Sequence, residues 1–322
     1  MTNHSFLYRT LLSDELHAVQ DLMLDALREM PSEVQAALAL IIRQGGKQLR
    51  PALVLLSAHL CEADISAALP VAAAVELLHT ATLIHDDLID NAQMRRGAET
   101  LNAAWSPAAT VLAGDVAFAW AARLASRGGS LPLMERFAET LTTICSGELS
   151  QMFKRGALPT LDDYYARIFA KTASLFALAS ETGALLTDRD DAVVQRARRF
   201  GKALGEAFQI ADDVLDLMGD PATLGKPVGS DLRQGIVTLP ALLYLEQHPT
   251  DARVSAAAAG AADEAALRAL IADLRDSDAA ARAMAQADLR AAAALDLLAA
   301  SPSSPHRSAL EEIVRFAVRR EY

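Results

Sequence analysis

Two stretches decide how this chain is read: Glu76-Leu77-Leu78-His79-Thr80-Ala81-Thr82-Leu83-Ile84-His85-Asp86-Asp87-Leu88-Ile89-Asp90 and Phe208-Gln209-Ile210-Ala211-Asp212-Asp213-Val214-Leu215-Asp216. Each is an apolar run carrying two adjacent aspartates, with a third aspartate one helical turn later. On an α-helix that spacing brings the three carboxylates together. Taken alone, either triplet reads as a solvated helix face. Both are embedded among residues expected to be buried, Leu83, Ile84, Ile89, Phe208, Ile210 and Leu215, where unpaired like charges are strongly disfavoured. A bound cation offsets that repulsion. An all-oxygen donor set suits a hard cation, and magnesium characteristically combines few carboxylates with water and phosphate oxygens, so a diphosphate substrate follows.

Outward from the triplets, the chain reads as helix nearly everywhere. Leu12, Leu16, Val19, Met23, Ala26, Leu27 and Met30 recur at three- and four-residue steps, predicting an amphipathic helix that ends near Pro31. Thr160-Leu161-Asp162-Asp163 resembles a capping box, and Ser308-Ala309-Leu310-Glu311 is expected to open a last helix carrying Leu310, Ile313, Val314 and Ala317. The alanine-rich stretch from Val254 to Ala300 keeps a helical period at Leu267, Leu270, Ile271 and Leu274. Aromatics are only 5% of residues and strand-type alternation is scarce, so strand propensity is weak. Turn signals at Gly45-Gly46, Ser106-Pro107, Gly128-Gly129 and Gly219-Asp220-Pro221 lead into no long polar linker. The expectation is one all-α domain over residues 1–322.

Composition narrows the function classes. With 52% hydrophobic residues the chain can bury a sizeable core, and its formal charge of −11 argues against general nucleic-acid binding. Cys61 and Cys145 are far apart and have no CxxC neighbour, so a reducing, cytoplasmic setting is expected. Met1 to Leu12 lacks the cationic start and long apolar core of a signal peptide. The apolar run from Ala67 to Ile84 is interrupted by Pro70, Glu76 and His79, so no transmembrane segment is expected.

Two basic segments accompany the aspartates. Gly45-Gly46-Lys47-Gln48-Leu49-Arg50-Pro51 sets two cations in a glycine turn before a helix that proline can open, a turn able to hold phosphate or to serve as an ordinary surface loop. Arg95-Arg96-Gly97 follows the first triplet by about a turn, where guanidinium forks can grip phosphates that a metal bridges. By itself His79 reads as a core histidine, since its helix is otherwise apolar.

From Gln44 to Thr238 these segments, together with Gly147-Glu148-Leu149-Ser150-Gln151, Lys171-Thr172 and Gly225-Lys226-Pro227, resemble the trans-isoprenyl diphosphate synthase family in motif and in order. The resemblance implies an isoprenoid synthase type I fold, a bundle of antiparallel helices around a central catalytic cavity. It implies a prenyltransferase that condenses isopentenyl diphosphate with an allylic diphosphate. Asp86, Asp90 and Asp212 would hold Mg2+, with Asp87, Asp213 and Asp216 supporting them. Arg95, Lys171 and Lys226 would contact the allylic diphosphate, and Lys47, Arg50, His79 and Arg96 the isopentenyl diphosphate. Lys171-Thr172 and Gln209 would face the developing carbocation. Glu148 and Gln151 stay outside the catalytic set. Two positions depart from the family pattern: Gln48 where many members have arginine, and Ile236 where many have lysine.

In that family the growing tail descends beside the first aspartate helix. Ala81, five residues before Asp86, is small where short-chain members commonly carry an aromatic stopper, and Thr82 beside it is modest. Leu78 and Ala74 are candidate deeper floors, with Phe118 approaching from a later helix. A product longer than geranylgeranyl diphosphate is expected, such as a quinone side-chain precursor. A short-chain synthase and the catalytic subunit of a heteromeric synthase are the alternatives; a homodimer and a transient membrane contact at product release are further expectations of the resemblance. A class I terpene cyclase would carry an Asn/Ser/Glu-type second motif in place of Asp212-Asp213-Val214-Leu215-Asp216, and a regulatory subunit would have lost aspartates. The C-terminal Arg319-Arg320-Glu321-Tyr322 is a candidate lid.

Overall fold

The computed structural model describes residues 6–95, 97–187, 189–220 and 227–319. Arg96, Lys226 and the end of the candidate lid, Arg320, Glu321 and Tyr322, lie outside the described residues. Helices dominate, as expected; the sole strands among the described residues are β1 (Met94–Arg95) and β2 (Ala98–Glu99), a two-stranded antiparallel hairpin. The chain divides into two compact units.

Unit 1 comprises Met1–Glu139, Leu178–Arg198 and Ser301–Leu310. It opens with α1 (Leu7–Leu11), α2 (Ser13–Ala26) and a 3-10 turn (Leu27–Glu29), so the predicted N-terminal stripe is helical but broken at Leu12. Next come α3 (Ser32–Gln44), α4 (Leu49–Cys61) and α5 (Ile65–Ile89), then α6 (Leu101–Ala104) and α7 (Pro107–Ser126). Asp64 caps α5 by accepting from Ser66 N at 2.9 Å, and Ser106 caps α7 with Pro107 in its first turn. The most extensive packing in the unit is α5 against α7, and α4 also lies on α5.

Pro70 lies inside α5, at its sixth position, where its ring costs the one hydrogen bond to Ser66 C=O. The resulting helix and α7 are both long and apolar enough to cross a membrane by length and composition alone. The apolar length of α5 is spent on its neighbours, since Val71, Ala72, Ala74, Leu77, Leu78 and Ala81 are fully buried. Ile89, expected to be buried, is 43% exposed, because it falls in the last turn where the helix runs out of partners.

Unit 2 comprises Thr140–Ala177, Arg199–Ala300 and Glu311–Tyr322. Helices α8 (Leu131–Phe153), α10 (Ser174–Leu185) and α11 (Asp191–Met218) contribute residues to both units. Within unit 2 lie α9 (Leu161–Ile168), a π-helical segment (Phe169–Ala173), α12 (Ser230–Arg233), α13 (Leu239–Gln247), α14 (Ala252–Ala258), α15 (Glu264–Asp276) and α16 (Ala279–Ala299). The Thr160–Asp163 capping box is present in both directions, and the alanine-rich stretch packs as α14 to α16, burying Leu267, Leu270, Ile271 and Leu274. The last helix, α17, spans Pro305–Val318 and starts three residues before the predicted Ser308. Ser304 Oγ accepts from Arg307 N at 3.1 Å and proline suits the first turn, so Ser304-Pro305 outcompetes Ser308 as the start.

Candidate active site

Both aspartate triplets end a helix. Asp86, Asp87 and Asp90 occupy the last turn and C-cap of α5, and Asp212, Asp213 and Asp216 the last two turns of α11. No basic residue lies in the last turn of either helix. The C-terminal end of a helix is its negative pole, so this is the least favourable end for carboxylates and the most favourable for a cation. The carboxylates of each triplet also repel one another. Among the described residues no three His, Cys, Asp or Glu side chains are gathered closely enough to hold a metal by themselves.

Within each triplet the inner carboxylates are tied to protein. In unit 1, Asp87 is buried and its Oδ1 accepts from Arg95 Nε at 2.7 Å. Burial raises its pKa, Arg95 opposes the rise, and Asp86 and Asp90 add to it. The hairpin of β1 and β2 turns at Gly97, whose φ of +79° favours glycine, and so returns Arg95 to the end of α5. Asp90 is exposed and Asp86 half-buried.

The glycine turn of unit 1 is held from the N-terminus. Gly45 has φ +54° and ψ −173°, a conformation essentially reserved for glycine, and Gln48 is left-handed immediately before α4. Tyr8 Oη donates to Lys47 C=O, and Arg9 Nη2 donates to Gly46 C=O at 3.3 Å. Lys47 and Arg50 are half-buried there, Arg50 in the first turn of α4, and His79 is half-buried on α5. On the same helix Leu78 and Ala81 are fully buried, Thr82 Oγ1 donates to His79 C=O at 2.7 Å, and Phe118 of α7 packs against the His85 ring with centroids 5.1 Å apart.

In unit 2 the structure joins residues that the sequence leaves apart. Thr172 Oγ1 donates to Gln209 Oε1 at 2.6 Å, Gln209 Nε2 donates to Asp213 Oδ1 at 2.8 Å, and Tyr164 Oη donates to Asp213 Oδ2 at 2.7 Å. Burial pushes the Asp213 carboxyl up to about 6 despite the Gln209 and Tyr164 donors. Asp216 Oδ2 accepts from Asp231 N at 3.1 Å, and Asp216 C=O from Gly229 N at 2.8 Å, which ties α11 to the start of α12. Asp212 is exposed. Ile236 is tied by its backbone N–H to Asp231 C=O at 2.8 Å.

Lys171 and Thr172 lie on the π-helical segment, a feature without a sequence signature that recurs at functional sites. Lys171 Nζ pairs with Glu148 Oε1 at 3.0 Å, so Glu148, left aside above, contacts a candidate site residue. Gly147 and Gly205 make room for the segment: a Cβ on Gly147 would stand 2.4 Å from Ala170 Cβ, and one on Gly205 2.5 Å from Ala173 Cα. Tyr164 and Gly205 are site-shaping residues that sequence reading missed; the capping box just before Tyr164 marked its helix but not its partner.

The model of the polyprenyl synthetase family matches residues 31–274, and the chain belongs to that family. It is an enzyme that transfers prenyl groups. The chain is 36% identical over 317 residues to heptaprenyl diphosphate synthase component 2 of Geobacillus stearothermophilus, covering 97% of this chain and 98% of that one. It is 37% identical over 308 residues to nonaprenyl diphosphate synthase of Mycobacterium tuberculosis, covering 94% and 91%. A solved polyprenyl synthase from Caulobacter crescentus CB15, complexed with calcium and isoprenyl diphosphate, matches with a TM-score of 0.91 at 36% identity, over 98% of this chain and 97% of that one.

Proposed function

We propose that this chain condenses isopentenyl diphosphate with an allylic diphosphate, head to tail, with Asp86, Asp90 and Asp212 as ligands of magnesium. The observation that carries the reading is the pair of triplets, each set at the negative, C-terminal end of its helix with its middle aspartate held by protein donors. The product is a polyprenyl diphosphate longer than geranylgeranyl, the class named in the heptaprenyl and nonaprenyl relatives. Bound magnesium would neutralise charge that gathers on the departing diphosphate.

The protein residues do the remaining work. Arg95, Lys171 and Lys226 grip the allylic diphosphate, and Lys47, Arg50, His79 and Arg96 the isopentenyl diphosphate. As the allylic C–O bond breaks, the Thr172 and Gln209 oxygens face the positive carbon. The double bond of isopentenyl diphosphate supplies the electron pair for the new C–C bond, and the proton then lost passes to the released diphosphate. No protein nucleophile takes part. Ala81, Thr82 and Leu78 set where the tail stops.

The chain acts as one domain and as a homodimer in a reducing cytoplasm, where free Cys61 and Cys145 are stable, and meets a membrane transiently as product leaves. A second reading is favoured by one relative's name: as a "component 2", that relative is one part of a synthase, and this chain could likewise need a different subunit. The test incubates purified protein with magnesium, labelled isopentenyl diphosphate and each allylic primer in turn, and resolves the product alcohols by length. Long all-trans products support the proposal. Products that stop at farnesyl or geranylgeranyl refute the tail reading, and no condensation by the purified chain refutes the homodimer.

A further inference from the structure

The hydrogen bonds around Asp213 have a direction. A carboxylate only accepts, so the Gln209 group that faces Asp213 Oδ1 at 2.8 Å must be the amide nitrogen. That leaves Gln209 Oε1 on the opposite side, where Thr172 Oγ1 donates to it at 2.6 Å. Flipping the amide would set carbonyl oxygen against carboxylate oxygen. The dipole of Gln209 is therefore aimed by Asp213, and Asp213 is itself held at its other oxygen by Tyr164 Oη at 2.7 Å.

Tyr164 is built for this. It is fully buried on α9, its ring packs edge-on against Tyr165 with centroids 5.3 Å apart, and the Arg167 guanidinium lies 5.4 Å from its ring centre. A phenol in a wholly apolar setting would be an unpaired polar group; here its one donor has one acceptor. Its hydroxyl holds a carboxylate whose neighbour in sequence, Asp212, is exposed.

We propose that Tyr164 is a positioning residue for the prenyl transfer: by holding Asp213, it orients the Gln209 amide so that Oε1, the negative end, stays beside Thr172 and is presented to the allylic carbon. The inference rests on the reading of Thr172 and Gln209 as groups that face the cation. Tyr164 touches neither substrate nor metal. Without its hydroxyl, Asp213 keeps only the Gln209 amide as a side-chain donor, and the amide is aimed by a carboxylate held at one oxygen instead of two.

The experiment is a double-mutant cycle on kcat and on KM for the allylic diphosphate, using Tyr164→Phe, Gln209→Leu and the double variant in the full chain. Tyr164→Phe should lower kcat roughly ten-fold or more, as misplacement of a catalytic group does, with KM changed much less. In the double variant kcat should match that of Gln209→Leu alone, since both act through one amide. If the two losses multiply, Tyr164 acts on the fold alone and the proposal is overturned; an unchanged kcat in Tyr164→Phe overturns it as well. Should Tyr164→Phe prove insoluble, Asp213→Asn takes its place in the cycle with the same two outcomes. If Gln209→Leu itself keeps full kcat, the site reading fails and this proposal with it; if Gln209→Leu is impaired and the cycle is multiplicative, only the Tyr164 relay fails.

Discussion

Arg95 Nε stands 2.7 Å from Asp87 Oδ1, and this contact lets the middle aspartate of a triplet be buried at the negative end of α5. On α11 the equivalent carboxylate, Asp213, is held by neutral donors, Tyr164 and Gln209. One triplet thus uses a cation and the other uses dipoles for the same purpose, which is to fix the inner carboxylate.

Replacing Arg95 with Gln removes the guanidinium beside Asp87. Arg95 is 40% exposed as a side chain, so solvent screening limits the loss of stability to about 1 kcal/mol. Catalysis should suffer more, with kcat/KM for the allylic substrate falling roughly ten-fold or more, because a charge-assisted contact is lost as well. Denaturant melts and steady-state kinetics on the same preparation check both; equal kinetics would show that Arg95 serves Asp87 alone.

Gly147→Ala places a methyl group where Ala170 Cβ already is, 2.4 Å away. Overpacking of this kind costs about 1–3 kcal/mol. The π-helical segment that carries Lys171 and Thr172 must shift, and activity should fall with stability. Adding Ala170→Gly should restore both, measured as melting temperature and turnover; failure to restore turnover would separate the segment's position from its chemistry.

Glu181 tests the packing of unit 1. It is 1% exposed, and burial pushes its pKa up to about 7, with Arg198 and Arg136 opposing and Glu139 reinforcing the rise. A folded-state pKa above the unfolded value means the native protein binds this proton more tightly, so the stabilisation is present below the unfolded value and is lost as pH rises through about 7. Melting temperature should therefore rise as pH falls from 8 towards 5.5, with a gain of about 2 kcal/mol over that window. Glu181→Gln should flatten that slope, and an unaltered slope would assign it to other groups.

Ala81→Phe should shorten the products. Ala81 is fully buried on α5, a helix packed against α4 and α7, and an aromatic ring there would fill space beside the helix. Product analysis by chain length decides, and an unchanged distribution would remove Ala81 from the lining of the tail.

Much of the site was legible because its chemistry is local. The aspartate triplets, the capping box at Thr160 and the glycine turn at Gly45 are set by spacings within one or two turns, and the structure holds them in those elements. Ser308 misled because two capping serines lay four residues apart, and the stronger Ser304-Pro305 pair won.

The sequence by itself determined the helical class, the family and the identity of the charged residues, since periodicity, spacing and motif order are properties of neighbours along the chain. Only the tertiary structure decided which side chains hold the middle aspartate of each triplet and which Tyr, Thr and Gln share one hydrogen-bonded path. Tyr164, Thr172, Gln209 and Asp213 come from three segments; only Gln209 and Asp213 are related by helical spacing, four residues apart on α11. Their meeting depends on α9 and the π-helical segment packing on α11 at a distance that Gly205 permits. Hydrogen bonds are short-ranged and directional, so which groups share them is settled by packing.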